Sequence, residues 1–322
     1  MKLPPGLAAA IENEVSRYDA KELARAAQEL SQRYRLDSGR FKERLKSPVE
    51  RAAYLVTRLP ATYAAVRVVF EEVNQRIGGE IRTLLDLGAG PGVAAWAAAE
   101  IFSSIEQITL IERDAEFLGL GKALAGASSK AALREARWVQ ADLENQTELP
   151  PHDLVVFSYS LGELVGANSL IDTSWKAARV ALAVVEPGTP RGFSTVLQAR
   201  DRLIAAGAHL AAPCPHEMQC PMAAAGNDWC HFPVRLERSR LHRQAKSASV
   251  GYEDEKFSYV VAARSEVRRA RARVIRHPAQ HKGHIRLDLC TPEGLRAQVV
   301  TRSDREAFRS ARKAGWGDEW EF

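Results

Sequence analysis

Residues 81–114 constrain this chain more than any other stretch. The run Ile81-Arg-Thr-Leu-Leu-Asp86 is short and mostly apolar, with a β-branched start, which predicts a buried parallel strand. It runs into Asp86-Leu-Gly88-Ala-Gly90-Pro-Gly92. Glycines at alternate positions let the backbone turn sharply and let a ligand approach where a Cβ would clash. An Ala-rich helix is expected from Val93 to about Ile101, then a strand Gln107–Glu112 that ends on a carboxylate. Strand, glycine turn, helix, strand and acid make a nucleotide-binding βαβ unit, so the fold class is α/β and Rossmann-like.

The spacing is G-x-G-x-G, not the G-x-G-x-x-G of dinucleotide binders. With Asp86 two residues ahead of the first glycine, it resembles motif I of the class I S-adenosylmethionine-dependent methyltransferases. The resemblance implies that Asp86, Gly88, Gly90 and Gly92 form the loop holding the methionine end of S-adenosylmethionine. It implies that Glu112 takes both ribose hydroxyls, a role that suits an acceptor-only carboxylate. A third strand is read at Ala136–Gln140, and the acid just after it, Asp142, is the candidate for the adenine amine. The plainer alternatives are a glycine turn with no ligand, and for Asp142 an ordinary turn residue.

The stretch before this unit, residues 1–79, reads as a helical region. Leu7–Tyr18 and Lys21–Tyr34 have amphipathic spacing. Ser47-Pro48-Val49-Glu50 is a helix start, with Ser as N-cap and Pro in the first turn. Pro60 interrupts that helix, and Ala61–Ile77 resumes it with Tyr63, Val66, Val69, Phe70 and Val73 on one face, until Gly78-Gly79. Arg40, Lys42, Arg44 and Lys46 are candidate substrate contacts, though a solvated face explains them equally simply. The cofactor domain spans 80–265. Its fourth and fifth strands are His152–Phe157 and Val180–Val185, and an antiparallel pair, Ala208–Ala212 and Phe257–Ala263, closes the sheet. Between that pair lies a Cys-rich insertion of about 213–250. Residues 266–322 form a small basic β element of three strands plus a last helix.

The loop after strand 4 is Ser158-Tyr-Ser-Leu-Gly-Glu-Leu164. It lacks the Asn/Asp-Pro-Pro-aromatic sequence that docks a target amine, and no cysteine nucleophile stands there or after strand 5. No catalytic group is assigned. Tyr159 and Glu163 are the nearest polar side chains, and neither is read as a base.

All four cysteines lie beyond strand 5. Cys214, Cys220 and Cys230 fall in one short segment, and Cys290 stands apart. Their spacing does not match paired zinc knuckles, and a thiolate-only set suits zinc or an iron–sulfur cluster. His216 and His231 could replace one cysteine as ligand, but an ordinary surface or core histidine is the simpler reading. The pattern Cys214-Pro-His-Glu-x-x-Cys220-Pro, then Trp-Cys230-His-Phe, then Leu-Asp-Leu-Cys290 resembles the ribosomal small-subunit methyltransferase-like family, whose eukaryotic members are mitochondrial ribosome assembly proteins. Tyr54-Leu-Val-Thr-Arg-Leu-Pro60, Ser158–Leu164, Ser303-Asp-Arg-Glu306 and Trp316-Gly-Asp-Glu-Trp320 extend the likeness. It implies that Cys214, Cys220, Cys230 and Cys290 hold a [4Fe–4S] cluster, and that the partners are the small ribosomal subunit and its rRNA. Cys290 would then return to the insertion and staple the β element to the core.

Charge agrees with a polyanionic partner. From His231 to Phe322 there are 20 lysines and arginines against 12 acids, a net +8, which leaves −3 for the rest of a chain totalling +5. The last helix carries Arg305, Arg309, Arg312 and Lys313, with Trp316 and Trp320 after it. That mixture suits phosphate contact with base stacking, or else packed tryptophans beside solvated arginines. No apolar run reaches the roughly 18–20 residues of a membrane helix. The N-terminus Met1-Lys-Leu-Pro-Pro has no signal h-region, so a cytoplasmic protein is expected. Three readings follow: an rRNA methyltransferase acting in small-subunit assembly, a non-catalytic assembly factor of the same fold, and a zinc-containing small-molecule methyltransferase.

Overall fold

The structure, a computed structural model, describes residues 1–36, 45, 47–77, 81–246 and 248–321. Arg40, Lys42, Arg44, Lys46 and the Gly78-Gly79 helix end lie outside the described residues.

The helical region comprises α1 (Pro5–Val15), α2 (Ala20–Leu36), α3 (Pro48–Thr57) and α4 (Leu59–Arg76). Ser47 caps α3 as expected, its side chain accepting from the Glu50 N–H at 3.3 Å. Pro60 does not break a helix. It occupies the first turn of α4, where its missing N–H costs no intrahelical bond, and Arg58 is the joint. The face Tyr63, Val66, Val69, Phe70 and Val73 is buried, and α4 lays it against the main sheet.

The cofactor domain follows as β1 (Thr83–Leu87), α5 (Val93–Ile101), β2 (Gln107–Glu112), α6 (Ala115–Gly126), α7 (Ala131–Arg134), β3 (Arg137–Gln140) and β4 (His152–Ser158). It continues as α8 (Ala167–Ala177), β5 (Ala178–Pro187), α9 (Pro190–Ala205) and β6 (His209–Ala212). The insertion carries α10 (Pro221–Ala225), β7 (Phe232–Glu237) and α11 (Arg240–Ala245), and β8 (Tyr252–Ala263) completes the domain. The sheet runs β3-β2-β1-β4-β5-β8-β6, with β1 to β5 parallel and β8 antiparallel to its neighbours β5 and β6. Counting β8 as the expected seventh strand, this is the class I methyltransferase order.

Both faces of this sheet are covered. Leu154 and Val156 of β4 point into the core beneath α4 and α5, while Val155 and Phe157 point into the core beneath α8 and α9. Burial on both sides is why these strands read as unbroken apolar runs rather than alternating ones.

The insertion is more than a loop. Its β7 pairs with the first half of β8, from Phe232 opposite Phe257 to Glu237 opposite Tyr252. The second half of β8 lies between β5 and β6. The cysteine segment therefore leaves the sheet where β6 stops and re-enters as β7.

The C-terminal element has five strands rather than three: β9 (Ala272–Val274), β10 (Ala279–His281), β11 (His284–Thr291), β12 (Gly294–Thr301) and β13 (Glu319–Trp320). Ile285, Leu287 and Leu289 of β11 form its core with Val300, Ala311 and Trp320. Helix α12 (Arg305–Ala311) is capped by Asp304, which accepts from the Ala307 N–H at 3.0 Å. The sequence Ser303-Asp-Arg-Glu306 has the pattern of a capping box, but the Ser303 hydroxyl pairs with Thr301 and Asp304 caps the helix instead.

Candidate functional site

The glycine turn joins β1 to α5 at the carboxyl edge of the sheet, where open α/β folds bind ligands. Gly88, Gly90 and Gly92 have φ of +70°, +53° and +83°. The Gly88 and Ala89 N–H groups donate to the Ile111 carbonyl at 2.9 and 3.1 Å, which locks the turn to β2. Glu112 ends β2 and accepts from the Gly90 N–H at 2.8 Å on one oxygen and from the Asp114 N–H at 2.8 Å on the other. A carboxylate has about four acceptor sites, so two remain for a ligand.

The three glycines differ in what surrounds them. A Cβ on Gly88 would lie 2.6 Å from Ser160 Cβ, and one on Gly92 would lie 2.9 Å from the Trp138 ring. A Cβ on Gly90 would meet nothing within 4 Å. Internal packing therefore accounts for the outer two, while the middle one faces open space beside Glu112. Asp86 lies beneath the turn, fully buried, with no partner for either carboxyl oxygen among the described residues. Burial, reinforced by the Glu112 charge, pushes its pKa up to about 8. Asp142 follows β3 and accepts from the Glu144 N–H at 3.1 Å, capping the turn Leu143–Asn145.

In the loop after β4 the hydroxyls of Tyr159 and Ser160 are satisfied internally, while Ser158 Oγ is buried with no partner among the described residues. Tyr159 adopts a φ of +58°, a left-handed conformation that costs a non-glycine residue about 1–2 kcal/mol. Its hydroxyl donates to Glu255 at 2.9 Å, and Ser160 donates to the Leu87 carbonyl at 2.7 Å. Two carboxyls flank the loop. Burial raises Glu186 to about 8 although it accepts from the Gly162 N–H, and burial raises Glu163 to about 7 against the pull of Arg113. Glu186 went unnoticed in the sequence. Its signal was the one that marked Glu112, an acid closing an apolar strand.

The four cysteines, distant in sequence, line one cavity together with Arg200, Arg273 and His216. All are free thiols, and Cys290 Sγ lies 3.7 Å from His216 Nε2. Burial raises the Cys230 thiol, and the other three cysteines raise it further. Burial takes Cys290 up to about 12. Arg200 of α9, itself buried, opposes the rise at Cys214 and donates to the carbonyls of His216 and Met218. Arg273 of β9 donates to the Pro213 carbonyl at 3.0 Å. Neither arginine was legible in the sequence, because both reach the cavity from other elements. Among the described residues, no three His, Cys, Asp or Glu side chains are grouped so as to hold a single metal ion.

A family model described as mitochondrial small ribosomal subunit Rsm22 matches residues 48–321. The chain belongs to the Rsm22 family. The match takes in the glycine turn and all four cysteines. A human relative of this Rsm22-family chain, ribosome assembly protein METTL17, mitochondrial, is 30% identical across 82% of this chain and 61% of its own length. Rsm22-cox11 tandem protein 2, mitochondrial, of Schizosaccharomyces pombe is 25% identical across 83% of this chain and 42% of its own length. The chain thus spans less than two thirds of each relative. Both relatives are named as mitochondrial. A solved SAM-dependent methyltransferase from Aquifex aeolicus superposes with a TM-score of 0.40 at 15% identity, over 65% of this chain and 94% of that one. Among the described residues no helix is long and apolar enough to cross a membrane.

The C-terminal tryptophans of this Rsm22-family chain are engaged inside the protein. Trp320 is buried in the small sheet, and its indole N–H donates to Gln298 at 2.9 Å. Trp316 packs edge-on against His231 and His277, with ring centroids 4.8 and 5.1 Å away. Trp316 joins the β element to the cysteine insertion, and Trp320 packs within the element itself.

Proposed function

We propose that this chain binds S-adenosylmethionine and acts on the rRNA of the small ribosomal subunit during its assembly. The observation that carries the cofactor is the glycine turn, where Gly90 faces open space beside Glu112 and above the unpartnered Asp86. Asp86, Gly88, Gly90 and Gly92 would hold the methionine end, Glu112 the ribose and Asp142 the adenine. When bound, the cofactor supplies an electrophilic methyl group on a sulfonium. The chain's own residues orient it and keep the acidic floor dry. The partner follows from family membership and from the basic C-terminal third.

Cys214, Cys220, Cys230 and Cys290 would hold an iron–sulfur cluster. Four soft sulfur donors around one buried cavity suit it, and the buried Arg200 offsets thiolate charge. Zinc is the alternative, and it would require the sulfurs to be drawn on to a single point. Either metal would brace β11 against the insertion.

A second reading is favoured by the loop after β4. With the hydroxyls of Tyr159 and Ser160 turned inward, neither is offered to a methyl acceptor. An assembly factor that binds the cofactor without transferring its methyl group fits that loop. The deciding experiment is methyl transfer from labelled S-adenosylmethionine to immature small subunits from cells lacking the protein, with the enzyme purified anaerobically. Label in rRNA that disappears with Gly90→Arg or Glu112→Ala, in variants that still fold and bind the particle, establishes an enzyme. No label, with particle binding retained, establishes the assembly factor. Failure to bind either cofactor or particle refutes both.

A further inference from the structure

Several arginines in the C-terminal third are paired. Arg235 faces Asp254, Arg268 faces Glu319, Arg276 faces Asp228 and Arg286 faces Asp288. Those along α12 differ. Arg305, Arg309 and Arg312 succeed one another at intervals of four and three residues, which places them on one helical face, and Arg302 lies in the turn just before the helix. Arg312, the C-cap, keeps helical geometry and extends the row. All four are exposed. Among the described residues, none of Arg305, Arg309 and Arg312 forms an ion pair. The opposite face of α12 is fixed, since Phe308 and Ala311 pack into the core of the small sheet. Of the acids nearby, Asp304 is occupied in capping the helix, and Glu306 stays exposed in its first turn. At the start of the row the Arg302 guanidinium sits over the Phe308 ring, 5.9 Å from its centroid. The Arg302 N–H donates to the Gly283 carbonyl at 3.1 Å, which brings the exposed Lys282 turn alongside.

We propose that the row Arg302, Arg305, Arg309 and Arg312 is a docking surface for the phosphodiester backbone of RNA. It rests on the reading of this chain as a protein that acts on small-subunit rRNA, and it says where the RNA lies. Like charges stacked on one helix face repel, and a polyanion removes that cost. Guanidinium forks match phosphate oxygens in pairs. Arg305 to Arg312 rise about 10 Å along the helix, the reach of a few consecutive phosphates. With both tryptophans engaged internally, the contact is to backbone and carries no base preference.

The test is the salt dependence of binding of the full chain to a fluorescent transcript of small-subunit rRNA. The triple variant R305Q/R309Q/R312Q leaves Asp304, Phe308 and Ala311 intact. Each phosphate that the protein no longer neutralises lowers the slope of log K against log salt by about 0.7–0.9, so the triple variant is expected to lose about two units. The charge-matched control K122Q/K130Q/K176Q, exposed lysines on the cofactor domain, is expected to keep the wild-type slope. A triple variant with the wild-type slope overturns the proposal and leaves the rRNA reading standing. Equal losses in the control overturn it too, since net charge then explains the effect. A wild-type chain that binds no transcript overturns the rRNA reading itself. If the triple variant loses only its binding to anionic lipid vesicles, the surface is a membrane contact and the proposal is wrong.

Discussion

Arg273 Nη1 lies 2.9 Å from Glu72 Oε1, although 201 positions separate the two residues in the chain. Glu72 also pairs with Arg76, which in turn pairs with Glu319. Arg273 donates further to the carbonyls of Gly317 and Pro213. One buried network therefore joins α4 of the helical region, the start of the cysteine segment and both ends of the C-terminal element.

Glu72→Gln is expected to destabilise the fold by about 3–5 kcal/mol, because it strands a buried guanidinium. Burial alone would raise the Glu72 pKa, but Arg273 and Arg76 outweigh it and hold it below the usual value of 4.5. A depressed acid stabilises the fold above its unfolded pKa, and that stabilisation fades as pH falls through the folded value. Urea melts at pH 7 and at pH 3 check both points. The deficit of the variant should be smaller at pH 3 than at pH 7. A deficit that does not change with pH would rule out the ion pair as its source.

How much of this was legible differs by element. Strand β2, Gln107–Glu112, coincides with its sequence reading because its apolar run is bounded by polar residues at both ends. The glycine turn and its acid lay within one βαβ unit, so local spacing was enough. Strand β7 was missed because Phe232–Glu237 is short and contains Pro233, which reads against a strand; it survives there by pairing with β8 alone. Arg200 and Arg273 were invisible at the cysteine site because nothing local ties them to it. Trp316 and Trp320 left two readings open in sequence, and only their partners, His231, His277 and Gln298, decide between packing and display.

Asp86→Asn is expected to stabilise the cofactor-free protein, increasingly so as pH rises. The wild-type carboxyl keeps its proton in the fold up to about pH 8, while the unfolded chain releases it near 4. The native state then holds more protons across that window, and stability falls with rising pH at up to about 1.4 kcal/mol per unit. The asparagine removes this slope. Thermal melts at pH 5 and pH 8 should show the gap between variant and wild type widening. S-adenosylmethionine, whose cationic end suits the ionised form, should narrow it at pH 8. The same gap at both pH values would show that Asp86 ionises freely.

Gly88→Ala and Gly90→Ala should fail in different ways. At Gly88 the new Cβ meets Ser160 at 2.6 Å, so the fold itself suffers and the melting temperature drops. At Gly90 the new Cβ has room, and only the positive φ is penalised, by about 1–2 kcal/mol. Cofactor affinity, read by calorimetry, should nonetheless fall at least tenfold in Gly90→Ala. Retained affinity there would mean that the open space above Gly90 is not where the cofactor lies.

Cys290→Ser tests whether a metal staples the C-terminal sheet to the insertion. Cys290 stands on β11 opposite Arg273 of β9, and its sulfur faces the cavity that Cys214, Cys220 and Cys230 line from the other side. Losing one of four ligands should lower the iron per chain in anaerobically purified protein and bleach its visible absorbance. The melting temperature should fall with it, since a metal bound only by the folded state adds its binding energy to stability. Chelated wild type supplies the control. Stripped of metal, wild type and variant should melt together, because sulfur and oxygen differ little at a half-buried position. Zinc in place of iron by elemental analysis would keep the staple and change its identity. Unchanged metal content together with an unchanged melting temperature would show that Cys290 braces nothing.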